Sequence, residues 1–283
     1  MNFNMKPQSR VLIAGCGYVG CAAAEQLRSQ GHQVFGARRD TTQLPPGIEP
    51  VAIDLLGGNY DAVPPELDAV VWALSPSSSE AGYRAAYVDG PAALLHHLHQ
   101  RGDPIARAVL VASTSVWHCE DGREVDEQSP TTPSNFRGDH ILAGERAFDD
   151  SPFPSTSLRL AGIYGPGRTS MLDRIANGQA EPPEHAVYGN RIWRDDAARA
   201  ITHILTLTDA GPIYAVADDD PADLRHVYAW LAEQLGVDLP PANKTFHRRS
   251  GSKRIRNHLL RASGWSPSVP DFRTGYAQLL AQR

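Results

Sequence analysis

The short apolar run Arg10-Val-Leu-Ile-Ala14 leads directly into Gly15-Cys16-Gly17-Tyr18-Val19-Gly20. A helix pattern, Cys21-Ala-Ala-Ala-Glu-Gln-Leu-Arg28, follows and is stopped by Gly31. A strand, a G-x-G-x-x-G loop and a helix in that order make the opening turn of a dinucleotide-binding sheet. Gly15 permits the tight turn, Gly17 lets a pyrophosphate approach the backbone, and Gly20 lets the helix pack close to its strand. The N–H groups of the helix start, around Tyr18 and Val19, then face the phosphates.

The dinucleotide is specified further along. In NAD sites an acidic residue about 20 positions after the loop accepts hydrogen bonds from the ribose 2′-hydroxyl. Here no acidic residue lies between Glu25 and Asp40; the next strand, Val34-Phe-Gly-Ala37, runs into Arg38-Arg39. A guanidinium pair suits a 2′-phosphate, which it can hold bidentately. NADP(H) is therefore favoured over NAD(H). Asp54, at the end of a third strand, is expected either to meet the adenine or to cap its strand. Leu74, closing the run Ala69–Leu74, is expected at the same edge.

Strand and helix patterns alternate through most of the chain. Strands are predicted at Arg10–Ala14, Gln33–Ala37, Val51–Asp54, Ala69–Leu74, Ala108–Ala112, Thr156–Leu160 and Ile213–Val216. Helices are predicted from Tyr83 to Gln100, His140–Asp149, Asp195–Leu207 and Ala222–Gly236, with another toward residue 283. This rhythm predicts an α/β fold: a Rossmann-type, doubly wound parallel sheet with helices on both faces and a small C-terminal substrate lobe. The expected division is 1–165 for the dinucleotide domain and 166–283 for the lobe.

Composition excludes several functions. The net charge is −5, which gives no footprint for nucleic acid or an anionic membrane. No apolar run approaches the ~20 residues that span a bilayer, and the first one enters a glycine turn rather than a secretory cleavage site. Cysteine occurs only at 16, 21 and 119, so neither a disulfide framework nor metal-ligand spacing is present. A reducing cytoplasm is the expected compartment. Cys16 and Cys21 flank the glycine loop as small residues that need no redox role. Cys119 beside His118 faces the other way on an extended segment. His96, His97, His99 and His203 read as solvated helix faces, and no metal is expected.

Later segments carry a family resemblance. Val109-Leu-Val-Ala-Ser-Thr-Ser-Val-Trp117 resembles a fifth strand with its "SSxxVYG" turn, and Glu127-Gln-Ser-Pro130 an "E-x-x-P" turn. Arg159-Leu-Ala-Gly-Ile-Tyr-Gly-Pro-Gly-Arg168 is similar to "R-x-x-x-x-YGPG". Arg191-Ile-Trp-Arg-Asp-Asp196 stands at the "hVDD" stretch, and Lys253-Arg-Ile-Arg-Asn257 with Gly264-Trp265 resembles "KR-x-x-N…GW". In order and spacing these resemble the short-chain dehydrogenase/reductase superfamily, on its atypical or extended NAD-dependent epimerase/dehydratase side. The resemblance implies a pyridine nucleotide at the sheet's carboxyl edge. It also implies a small-molecule substrate, often a nucleotide-sugar, oxidised or reduced at a carbon bearing oxygen. Tyr164, Arg168, Arg191 and Trp193 are the expected substrate residues, with Arg194 a further cation that could hold an anionic group. Two-fold pairing is frequent in such families, which leaves a homodimer open.

The family's proton chemistry is missing. It needs Tyr-x-x-x-Lys, whose ammonium lowers the phenol pKa. Lysine occurs only at 6, 244 and 253, and no tyrosine lies between Tyr87 and Tyr164. Counting back from Glu145 puts His140 or Asp139 at the lysine position and Phe136 or Asn135 at the tyrosine. The remaining candidates are Ser113 or Thr114 to hold a carbonyl oxygen and His140 or Asp139 as acid/base. Two functions stay open: an oxidoreductase or epimerase acting on a small or sugar-like substrate, and a non-catalytic NADP(H)-binding sensor or scaffold.

Overall fold

The computed structural model describes residues 6, 8–246, 248 and 251–282. The chain forms two interleaved units. The first comprises Met1–Val116, Pro133–Arg159 and Ala197–Tyr214; the second comprises Trp117–Thr132, Leu160–Asp196 and Ala215–Arg283.

The first unit is built on a sheet of β1 (Arg10–Ala14), β2 (Gln33–Arg38), β3 (Glu49–Ala52), β4 (Ala69–Trp72), β5 (Arg107–Ser113), β6 (Ser155–Leu160) and β7 (Ile213–Val216). The spatial order is β7-β6-β5-β4-β1-β2-β3. The registers β1–β2, β1–β4, β2–β3 and β4–β5 are all parallel. This is the predicted doubly wound α/β sheet. Its order reverses between β1 and β4, which places the ligand crevice at the carboxyl ends of those strands. Val11, Leu12, Ile13 and Ala14 are all fully buried, as a central parallel strand requires. Each large side chain there contributes roughly 1.5–3 kcal/mol of burial.

The helices are α1 (Tyr18–Ser29), α2 (Glu80–Arg84), α3 (Gly90–Arg101), α4 (Phe136–Asp149), α5 (Ser170–Ala176), α6 (Arg194–Thr206), α7 (Leu224–Leu235), α8 (His258–Ala262) and α9 (Phe272–Leu280). The helix predicted from Tyr83 instead starts at Glu80, because Ser79 accepts from Gly82 N. It is then interrupted by a wide π turn, Ala85–Asp89. The Ala86 carbonyl in that turn accepts from Trp72 Nε1 (2.7 Å), a side-chain bond drawn into the helix ladder. The helix predicted from His140 starts at Phe136, because Asn135 caps Arg137 N. The third strand is Glu49–Ala52, not Val51–Asp54.

The second unit has its own core, in which Tyr164, Leu172, Trp193, Leu231 and Phe272 are buried together. Its sheet pieces are short: Gly162–Tyr164 pairs with Arg191–Trp193, Tyr188–Gly189 with Ala222–Asp223, and Glu124–Val125 with Arg254–Ile255. Within it Lys253 Nζ donates to Trp117 O (2.5 Å), and Asn257 Nδ2 donates to Ala217 O (2.9 Å) and Asp219 Oδ1 (2.8 Å). The "KR-x-x-N" residues thus tie segments of this unit together.

Candidate functional site

The loop after β1 turns through Gly15 at φ +93°, where a Cβ would lie 2.6 Å from Leu74 N. Only glycine fits, because the turn is pressed against the end of β4. A Cβ on Gly20 would lie 2.7 Å from Gly15 O and 3.0 Å from Ile13 Cγ2, so Gly20 serves close packing of α1. A cleft of about 570 Å³ opens here. Gly15, Gly17, Arg38, Arg39, Asp54 and Leu74 all line it. The other expected loop residues do not: Val19 and Gly20 are buried, and Tyr18 is half-buried.

Arg38 is held in place, donating through Nη1 to Cys16 O (3.0 Å) and through Nη2 to Gln43 Oε1 (2.9 Å). Asp40 also lines the cleft, but its carboxylate is committed to Thr42 and Gln43. Hydrogen bonds from Thr42 hold that carboxyl below its ordinary range. Asp54 accepts from Leu56 N (3.1 Å), a turn that leaves it exposed. Cys16 and Cys21 place their sulfurs 3.6 Å apart beneath the loop.

At the end of β5, Ser113 Oγ accepts from Ser115 N (3.2 Å) and Ser115 Oγ (3.1 Å). Among the described residues its own O–H donates to no acceptor. Thr114 is buried in the short turn that follows. The first turn of α4 packs on this serine turn, since a Cβ on Gly138 would lie 3.1 Å from Ser115 O. Phe136 and His140 share one side of α4, with ring centroids 6.4 Å apart. His140 Nε2 is buried without a hydrogen-bond partner and lies 3.7 Å from Glu80 Oε1. Tyr83 meets Phe136 edge-on (5.7 Å), and Arg137 lies over both rings, 4.7 Å from Phe136 and 5.6 Å from Tyr83. Tyr83, Glu80 and Arg137 are absent from the sequence-derived candidates. Nothing in the sequence joins Tyr83 to Phe136, because the contact depends on how α2 packs against α4.

The second unit holds a cleft of about 740 Å³ lined by Tyr164, Arg168 and Arg191 together with Tyr228, Arg248 and Tyr276. Arg191 donates to Gly189 O (3.2 Å) and Arg248 to Tyr188 O (2.7 Å). Both bonds go to carbonyls, and one glycine separates the two guanidinium groups: a Cβ on Gly189 would lie 3.0 Å from Arg248 Nη1 and 3.2 Å from Arg191 Nη2. Burial, and then repulsion by Arg191, pull the Arg248 pKa down to about 10. Two crowded, buried guanidiniums are a candidate anion-binding pair. Arg248 was not foreseen, since it lies in an aperiodic stretch.

Trp193 does not line this cleft; it is buried edge-on against Tyr164 (5.2 Å). Arg194 also lies outside it and is paired with Asp195 (2.7 Å). The Tyr164 hydroxyl points away toward Gly275 and Asp271 O (3.4 Å), and burial pushes its pKa up. Tyr164 thus lines the cleft with its hydroxyl held against Gly275 and Asp271. Among the described residues no group of three or more His, Cys, Asp or Glu could hold a metal, and no helix is long and apolar enough to cross a membrane. His97 packs against Tyr60 and His99 against Phe153.

A chain with a Rossmann sheet, this loop and a serine turn at the end of β5 is a nucleotide-binding protein of the dehydrogenase/reductase class. The model of the NAD-dependent epimerase/dehydratase family matches residues 11–217, and the chain belongs to that family. A solved structure from Methylobacillus flagellatus, described as an NAD-dependent epimerase/dehydratase, superposes with a TM-score of 0.83 at 30% identity, covering 97% of this chain and 98% of that one. Protein YeeZ of Escherichia coli (strain K12) is 29% identical over 93% of this chain and 97% of its own. A 3-diazoavenalumate denitrifying reductase from Streptomyces sp. is 26% identical over 94% of this chain and 98% of its own.

Proposed function

We propose that this protein is an NADP(H)-dependent oxidoreductase or epimerase acting on a small, sugar-like substrate that carries an anionic group, a nucleotide-sugar being the family's common case. The reading rests on Ser113: a strand-end hydroxyl whose oxygen is oriented by two donors while its proton remains uncommitted. That proton is available to the substrate oxygen at the carbon losing or gaining hydride. Bound NADP(H) supplies the hydride chemistry. Arg38 and Arg39 hold its 2′-phosphate, and within the second unit Arg191 and Arg248 are the pair available to an anionic group. Phe136 cannot exchange a proton, so that task falls to Tyr83 or His140 beside it, with Glu80 Oε1 3.7 Å from the imidazole. The cytoplasm is the proposed compartment.

A second reading, a non-catalytic NADP(H) sensor, draws on one observation. Where the family's tyrosine is expected, a phenylalanine lies under the Arg137 guanidinium.

Thermal melts and turnover separate these readings. A dinucleotide at a hundred times its dissociation constant should stabilise the fold by about 2.7 kcal/mol. A shift with NADH but none with NADPH sinks the role of Arg38 and Arg39. Against a panel of nucleotide-sugars and small hydroxy or carbonyl compounds, Ser113→Ala should lower kcat by about 100-fold or more. Tyr83→Phe and His140→Gln, if both retain full kcat, remove the proton assignment. Binding with no turnover on any member favours the sensor.

A further inference from the structure

Cys16 sits between the first two glycines of the loop and is fully buried; Cys21, one helical turn further on, is half-buried. Their sulfurs are 3.6 Å apart, and Cys21 Sγ also donates to Cys16 O (3.2 Å). The same carbonyl accepts from Arg38 Nη1 (3.0 Å). The two thiols, the Arg38 guanidinium and the peptide that lines the dinucleotide cleft therefore form one cluster. Packing alone would be met by any two small residues, whereas here the sulfurs touch each other beside a fixed cation.

We infer that Cys16 and Cys21 are a reversible dithiol–disulfide pair, oxidised by a hydroperoxide, whose closure weakens dinucleotide binding at the glycine loop.

The geometry requires a small movement. A disulfide sulfur pair is ~2.05 Å apart, so closure draws the side chains together by about 1.5 Å. The chemistry divides between the two residues. The hydrogen bond from Cys16 and the nearby Arg38 bring Cys21 down to about 7, against the opposing effect of burial, while the bond to Cys21 and burial push Cys16 up. Cys21 is thus the attacking thiolate and Cys16 the resolving thiol. The Cys21 thiolate attacks the outer peroxide oxygen; the S–O bond forms, the O–O bond breaks, and the leaving alkoxide or hydroxide takes a proton. Cys16 sulfur then attacks the Cys21 sulfenic sulfur; the S–S bond forms and hydroxide departs with the Cys16 proton as water. The pair loses two electrons and the peroxide is reduced to alcohol (or water) plus one water.

Closure pulls on the peptide that lines the cleft and positions Arg38. Dinucleotide affinity falls by about tenfold as a result. Linkage is reciprocal, so saturating dinucleotide disfavours the disulfide by the same factor, about 30 mV for this two-electron couple. The chemistry of the pair stands independently of the proposed function; the effect on affinity rests on the dinucleotide reading of this cleft.

The test uses the full chain, reduced and desalted, treated with one to two equivalents of hydrogen peroxide, with thiols then counted under denaturing conditions. The chain has three cysteines, so three thiols should fall to one, Cys119, with a Cys16–Cys21 linked peptide in the digest and full recovery in dithiothreitol. Cys21→Ser should keep both remaining thiols, and Cys119→Ser should lose both of its own. NADPH and NADH titrations on reduced and oxidised protein read the coupling. Three surviving thiols, a disulfide between chains, or Cys21 carried to sulfinic acid overturns the pair. A formed disulfide with unchanged affinity overturns the coupling. Reduced protein that binds neither dinucleotide rejects the proposed function, while the thiol count still reports on the pair.

Discussion

Arg159 on β6 and Glu145 on α4 meet in a two-pronged ion pair, Nε to Oε1 at 2.8 Å and Nη2 to Oε2 at 2.7 Å, with side chains only 3% and 7% exposed. Both lie in the first unit and fix α4 against the sheet. Removing Glu145 takes the facing carboxylate away from a buried guanidinium. Glu145→Ala should cost about 3–5 kcal/mol, and replacing both residues with Met and Leu should recover most of that loss. Urea unfolding of the two singles and the double closes the cycle; a Glu145→Ala loss under 1 kcal/mol refutes the argument.

Gly15→Ala tests the loop. The alanine would be forced into left-handed backbone, which costs roughly 1–2 kcal/mol, and its Cβ would run into the end of β4. The expected outcome is a lowered Tm together with loss of dinucleotide binding. Gly167→Ala is the control: it is also left-handed (φ +77°) but has open space around its Cβ position, so it should cost the backbone term and leave binding intact.

Asp218 gives a pH prediction. Its Oδ2 is buried without a hydrogen-bond partner, and burial, opposed by Arg191, raises its pKa well above the usual carboxylate value. The unfolded chain ionises this group near ~3.9, so its contribution is fully present below that pH and is lost as pH rises through the folded value. Asp218→Asn removes the loss. The variant should match the parent near pH 4 and become the more stable of the two toward pH 7. Denaturant midpoints across that range should diverge steadily; parallel curves would contradict the assignment.

Arg248→Met addresses the paired guanidiniums. Relief of the burial cost and of repulsion by Arg191 opposes the loss of the bond to Tyr188 O, so the fold should change little in stability. Affinity for UDP or inorganic pyrophosphate should fall by about tenfold to a hundredfold, the worth of one charge-assisted hydrogen bond. Calorimetric titration decides, and unchanged affinity would move the anion site elsewhere.

Legibility in the sequence followed locality. β1 and β7 were predicted at their observed bounds, because each is a short apolar run whose burial determines its conformation. β3 was displaced: Ile53 is buried and donates its N–H to Arg38 O, but Asp54 has already turned away to hold Leu56 N, which ends the ladder early. α4 begins at Phe136, four positions before the predicted His140, because Asn135 supplies the cap. The π turn left no pattern, since it depends on Trp72 reaching Ala86. Cys16 and Cys21 were visible as residues but not as a pair, and Tyr83 and Arg248 acquire their neighbours only through tertiary packing.

The parallel pairing of Glu124–Val125 with Arg254–Ile255 has a consequence for biosynthesis. During translation the earlier segment leaves the ribosome long before its partner exists. At a synthesis rate of ~5–20 residues per second it must wait several seconds for residues 254–255. Through that interval an unpaired strand edge and the apolar surface around Val125 stand open. Completion of this pairing in the second unit is therefore a late event in synthesis.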